Sequence, residues 1–70
     1  MKKYIEIWDD IILFDIIWKI ECFEEENWLS TSFFDKKNNL INDIYECYED
    51  IEYTIWMQAR KDFKKYLDNK

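Results

Sequence analysis

Hydrophobic positions recur along this chain at two competing periods. Over residues 2–14, Tyr4, Ile5, Trp8, Ile11 and Ile12 fall at three- and four-residue spacings, with Lys2, Glu6, Asp9 and Asp10 opposite them. That pattern predicts an amphipathic helix with one apolar face. After Asp15 the helical spacing fails. Ile16, Trp18, Ile20 and Cys22 alternate with Lys19 and Glu21, and β-branched and aromatic side chains at a two-residue period suit a strand. Residues 16–34 therefore read either as a broken helix or as a short β-hairpin. In the second case E-E-E-N at 24–27 is the turn and W-L-S-T-S-F-F at 28–34 the return strand. A hairpin alone is marginal and needs a helix to pack against.

From residue 38 to 68 the pattern turns helical again. Leu40, Ile44, Cys47 or Tyr48, Ile51, Ile55, Ala59, Phe63 and Tyr66 or Leu67 form a continuous stripe, with Asp35, Asn38 or Asn39 as the N-cap. Such a helix is roughly 45 Å long at 1.5 Å per residue, against a diameter of about 26 Å for a compact chain of this size. A helix that overhangs its own domain leans on something else, so Ile44, Ile51, Ile55 and Phe63 make a candidate dimer stripe. Along it Asp43, Glu46, Glu49, Asp50 and Glu52 precede Arg60, Lys61, Lys64 and Lys65. The helix macrodipole favours that order, and so does antiparallel pairing of two copies. The expected fold is thus mainly α, with a small α+β fold as the alternative.

Composition adds a surface to this picture. Seventy residues make one small domain, spanning 1–70, and a domain of this size buries only about 60% of the surface its unfolded chain exposes. Yet 49% of the residues are hydrophobic and 20% aromatic. Some of Trp8, Trp18, Trp28 and Trp56 are then expected at the surface, as a face for a partner or a second copy. There is no glycine and no proline, so turns fall to Asn, Asp and Ser. Residues with GC-rich codons are scarce, which points to an AT-rich genome such as those of many Gram-positive bacteria and their phages.

The net charge is −6, from 16 acids and 10 bases. Direct nucleic-acid binding needs a basic footprint and is not expected; an acidic surface suits a basic protein partner. Acids interrupt the N-terminal segment from residue 6, unlike a secretory signal, and no apolar run approaches the ~18 residues of a membrane span. The expected setting is the cytoplasm, bacterial or that of an infected host, without a membrane partner.

Candidate chemistry is sparse. With no histidine the commonest general base and metal ligand is missing. Two cysteines fall short of the about four ligands of a structural zinc site. There is no Ser/His or Cys/His arrangement for nucleophilic catalysis and no glycine loop for phosphate. Neither catalysis nor a metal or cofactor is expected. The only cysteines lie in E-C-F-E at 21–24 and E-C-Y-E at 46–49. A reducing setting disfavours a disulfide, and both read as small, inward-facing hydrophobes bracketed by outward glutamates. Glu46, Glu49, Asp50, Glu52, Tyr53 and Trp56 form the candidate partner-binding set, with the aromatics as anchors among acids. The function these features suit is a small acidic module that binds a protein partner with a basic surface and inhibits or regulates it. A phage-encoded anti-defence inhibitor, anti-CRISPR-like or nucleic-acid-mimicking, is one form of it. An antitoxin, an immunity protein, or a structural homodimer built on the long helix are the alternatives.

Overall fold

Ile5, Ile7, Ile12 and Phe14 are buried, while Tyr4, Glu6, Ile11 and Leu13 between them stay exposed. That two-residue period belongs to strands, whose successive side chains point to opposite faces. The computed structural model, which describes residues 2–70, accordingly begins with an antiparallel hairpin. β1 (Tyr4–Ile7) pairs with β2 (Asp10–Leu13), with Ile5 opposite Ile12, around a two-residue loop. The helix expected over 2–14 is therefore not formed. In a segment so dense in apolar residues both periods can be read, and burial selects the alternation. Trp8, assigned to the helix's apolar face, sits in the loop and is 75% exposed.

A 3-10 turn at Phe14–Ile16 leads into a three-stranded meander. β3 (Lys19–Glu25), β4 (Trp28–Phe34) and β5 (Leu40–Cys47) lie side by side in chain order. The hairpin reading of 16–34 is the one the chain adopts, with the loop at Glu26–Asn27. Trp8 (φ 51°), Glu26 (φ 44°) and Asn38 (φ 65°) take the left-handed backbone that loops require. In a chain without glycine these positions fall to larger residues. The β4–β5 loop is closed by Asp35, whose carboxylate accepts the backbone N–H groups of Lys37 at 2.9 Å and Asn39 at 2.8 Å. The Asn39 bond contributes most to holding the Asp35 carboxyl below its usual range. The register slips between Phe33 and Phe34, leaving Ile41 as the extra residue of a bulge, and Ile41 packs against the core.

The helix expected over 38–68 is also corrected, because its first part is β5. α1 spans only Ile55–Asp68. Thr54 starts it: the Thr54 hydroxyl oxygen accepts the Met57 N–H at 3.2 Å, a standard N-cap bond. Both Glu46 carboxylate oxygens, reaching over from β5, lie 3.1 Å from the Ile55 nitrogen and accept its N–H. Fourteen residues make a helix of about 21 Å, which the molecule's 35 × 25 × 22 Å extents accommodate without overhang. The proposed dimer stripe dissolves with the long helix. Ile44 is buried on β5, Ile51 lies in a 3-10 turn at Ile51–Tyr53, and Ile55 and Phe63 on α1 pack inward. The acids that were to face a basic half all precede α1, so the antiparallel helix pairing has no acidic half.

The fold is therefore a small α+β arrangement and not mainly α. One core joins Ile5, Ile7, Ile12, Phe14 and Ile17 to Phe33 and Ile44 of the meander and Ala59 of α1. The Phe14 ring meets Phe63 and Tyr66 at centroid distances of 5.6 and 5.3 Å, clamping the first hairpin to the helix. Among the described residues no helix is long and apolar enough to cross a membrane.

Candidate docking site on the outer sheet face

Strand register assigns each residue of the meander to one face. On β4, Leu29, Thr31 and Phe33 point inward and are completely buried. Trp28, Ser30, Ser32 and Phe34 point outward by alternation. Reading across the sheet on the outer face, Phe23, Ser30 and Tyr45 form one row, Glu25, Trp28 and Cys47 the next, and Glu21, Ser32 and Asp43 the row on the other side. The central strand thus carries two serines flanked by larger side chains on both edge strands. The result is a trough. Ser30 is the floor, Phe23 and Tyr45 are the walls, and Trp28 closes one end. The walls rise from strands two spacings apart, about 10 Å at the backbone. The hollow measures about 430 Å³ and is lined by Phe23, Glu25, Trp28, Ser30 and Tyr45. Phe23 and Tyr45 are 72% and 65% exposed.

The charges on this face are unevenly satisfied. Lys19 pairs with Glu21 at 3.0 Å, and the other ion pair among the described residues, Lys2 with Asp62, is remote from the trough. Glu25 and Asp43 have no ion-pair partner among the described residues. The Lys19 ammonium also lies 5.0 Å from the Trp18 ring centroid and 4.8 Å from that of Phe34. At this end of the sheet, then, a cation is held by two aromatic rings and a carboxylate.

The six residues singled out from the sequence occupy several environments. Glu46 is on the inner face, engaged with the first turn of α1. Asp50 accepts the Glu52 N–H at 3.0 Å, and Glu49, Glu52 and Tyr53 are exposed in the β5–α1 connection. Trp56 is half-buried on α1, with the Arg60 guanidinium 5.8 Å from its ring, and shares a hollow with Ile20, Phe63 and Lys64. That surroundings is basic rather than acidic. Trp8, Trp18 and Trp28 do lie at the surface. Sequence reasoning missed Phe23, Glu25, Trp28 and Ser30 as a unit. The signal was the W-x-S-x-S-x-F alternation of 28–34, which places two serines between aromatics on one face.

The two cysteines are free and stand on opposite faces of the sheet. Cys22 faces inward beside Thr31 and Ile44, whereas Cys47 is exposed across from Trp28; the inward placing of Cys47 is corrected. Burial above all, then the Glu24 and Glu46 carboxylates, push the Cys22 thiol up, the opposite of what activates a thiolate. The E-C-F-E and E-C-Y-E segments do meet, through other residues. The Tyr48 hydroxyl donates to the Glu24 carboxylate and lies 3.3 Å from the Glu26 carbonyl oxygen. The bond to Glu24 is the main cause that pushes the Tyr48 phenol up to about 12. Among the described residues, no group of three or more Cys, Asp and Glu is placed to hold a metal ion. No protein-family model matches the chain, and neither does any curated protein or solved structure.

Proposed function

We propose that this chain is a non-catalytic protein-binding module that docks a basic surface of a partner protein on the outer face of its three-stranded sheet, and so inhibits or regulates that partner. The observation that carries the reading is the trough. Phe23, Trp28 and Tyr45 project from strands on the face that α1 leaves uncovered, beside the carboxylates of Glu25 and Asp43, which have no ion-pair partner among the described residues. Aromatic anchors on a preformed surface lose little side-chain freedom on binding and dominate interface energetics. The surrounding negative charge speeds encounter with a basic partner and selects against acidic ones. Partners that keep a basic groove for nucleic acid fit this chemistry, and competition with nucleic acid is the form of inhibition the acidity suits. A phage anti-defence protein, an antitoxin or an immunity protein would each use it in this way, in a cytoplasmic setting.

The test begins with affinity capture from host lysate, identification of the retained protein, and titration of that protein in purified form. The double substitution Phe23→Ala/Tyr45→Ala is expected to weaken binding about tenfold or more while circular dichroism stays native. Charge reversal at Glu49, Asp50 and Glu52 serves as the competing surface. Wild-type affinity in the trough variant, with loss in the reversal variant, moves the interface to the β5–α1 connection and ends the reading.

Self-association is a second reading, favoured by the basic side chains Arg60, Lys61, Lys64 and Lys65 on α1 in an otherwise acidic molecule. A single monomeric species in sedimentation across a concentration series removes it.

A further inference from the structure

We infer that the trough takes a lysine or arginine side chain presented by the partner, its cationic head held between Phe23 and Tyr45 with Trp28 and Glu25 at the closed end. This deepens the docking reading above and rests on it. The first argument is the protein's own precedent. On the same face, Lys19 lies among groups of the same kind: two aromatic rings, Trp18 and Phe34, within 5.0 Å and the Glu21 carboxylate at 3.0 Å. Phe23, Trp28, Tyr45 and Glu25 repeat that composition two rows away. Among the described residues none of the chain's cations lies over those three rings; they lie instead over Tyr4, Trp18, Phe34, Trp56 and Tyr66.

Geometry points the same way. Walls about 10 Å apart at the backbone admit one slender side chain, with both rings inside the ~6 Å over which a cation is attracted to an aromatic face. An apolar side chain fits the space but leaves the Glu25 carboxylate desolvated and unpaired, which is unfavourable. A cation satisfies rings and carboxylate together. Asp43, on the open side of the same face, adds attraction for a second basic residue along an extended segment.

The experiment is nitrogen-15 nuclear magnetic resonance on the full chain, titrated with two end-blocked hexapeptides, one alternating Gly and Lys, the other Gly and Arg. Matched peptides carry acetyl-lysine or citrulline, which keep the shape and lose the charge. Saturable shifts are expected at the Trp28 indole N–H and at Ser30 and Tyr45, with either charged peptide and neither neutral one. Trp28→Leu and Glu25→Gln should each weaken binding about three- to fivefold, whereas Trp18→Leu should not. Both substituted side chains lie on the exposed face, and Glu25→Gln retains the side chain's size, so a folded variant is available for the decisive comparison. Equal binding of the neutral peptides overturns the inference, as does no binding at millimolar concentration or indifference to both trough substitutions. Shifts that grow with protein concentration alone place a second copy's Arg60 or Lys64 in the trough and overturn assignment to a separate partner. The two proposals fail separately. If the trough variants abolish partner binding but charged peptides do not bind, docking stands and the cation falls. If peptides bind but partner affinity ignores the variants, the cage stands and docking falls.

Discussion

The two faces of the β3–β5 sheet are built from the same seven- and eight-residue strands and have opposite chemistry. Inward, β4 offers Leu29, Thr31 and Phe33, each completely buried. Outward, it offers Trp28, Ser30, Ser32 and Phe34, with two serines where a packed layer would place branched hydrophobes. A sheet with a helix on one side normally alternates apolar-in with polar-out. Here the outer face keeps large rings at the edges and empties the centre. The difference separates what holds the molecule together from what is available to a partner, and each face makes its own demands on substitution.

The largest contrast is between two phenylalanines. Phe33→Ala on the inner face is expected to cost about 3–5 kcal/mol, a large part of the total stability of so small a domain. Phe23→Ala on the outer face should stay within about 0.5 kcal/mol. Urea denaturation of both measures it, and equal losses would mean the outer face is covered in solution. Next come two glutamates. Glu46→Ala removes the acceptor for the Ile55 N–H and should cost about 1–2 kcal/mol, while Glu25→Ala should leave the denaturation midpoint unchanged. A smaller effect, of opposite sign, is expected inside. The Thr31 hydroxyl is buried with no hydrogen-bond partner among the described residues, so Thr31→Val, nearly the same shape, should raise stability by about 1 kcal/mol. A lower midpoint would reveal an internal partner for that hydroxyl.

The smallest expected stability effect is read as a pH dependence. Tyr48 has its phenol raised to about 12 from an ordinary value of 10.0. The proton is therefore held more tightly in the folded state. Its stabilising contribution is complete below pH 10 and is lost as the pH climbs from there toward 12. Midpoints of wild type and Tyr48→Phe, compared at pH 9 and at pH 11.5, should converge at the higher pH. Parallel curves would show that the hydroxyl's bond to Glu24 contributes nothing.

Particular residues show what could be read in advance. The 16–34 hairpin was legible only as one of two readings: Ile16, Trp18, Ile20 and Cys22 alternate, but a broken helix fitted the segment too. The surface tryptophans were legible because so small a core cannot bury them all. The first hairpin and β5 were not, since Ile5, Trp8 and Ile12, or Leu40, Ile44 and Cys47, follow a helical spacing that the strands do not use: Trp8 falls in a loop and Cys47 on the face opposite Ile44. Isoleucine favours either element once packed, and no glycine or proline marks where one ends. The helix start was marked by Thr54, but a stripe continuing through Ile51 and Ile55 hid it. The trough could not be seen as a unit, because it needs the register that sets Phe23 and Tyr45 on either side of Ser30. Of its aromatic lining, Trp28 was expected at the surface from the sequence alone, but nothing there joined it to Phe23 and Tyr45.

The topology has a kinetic consequence. Each strand pairing joins neighbours in sequence, β1 with β2 and β3 with β4 with β5, so both sheets can close outward from their loops, on the microsecond scale of hairpin formation. Docking of α1 is different: it brings Phe63 and Tyr66 back to Phe14 across most of the chain. Loop closures of that length cost more entropy before any contact rewards them. Folding should therefore run as early zipping followed by a late clasp. In a chevron analysis, substitutions at Phe63 should chiefly quicken unfolding, and those at the Glu26–Asn27 loop should chiefly change the folding rate.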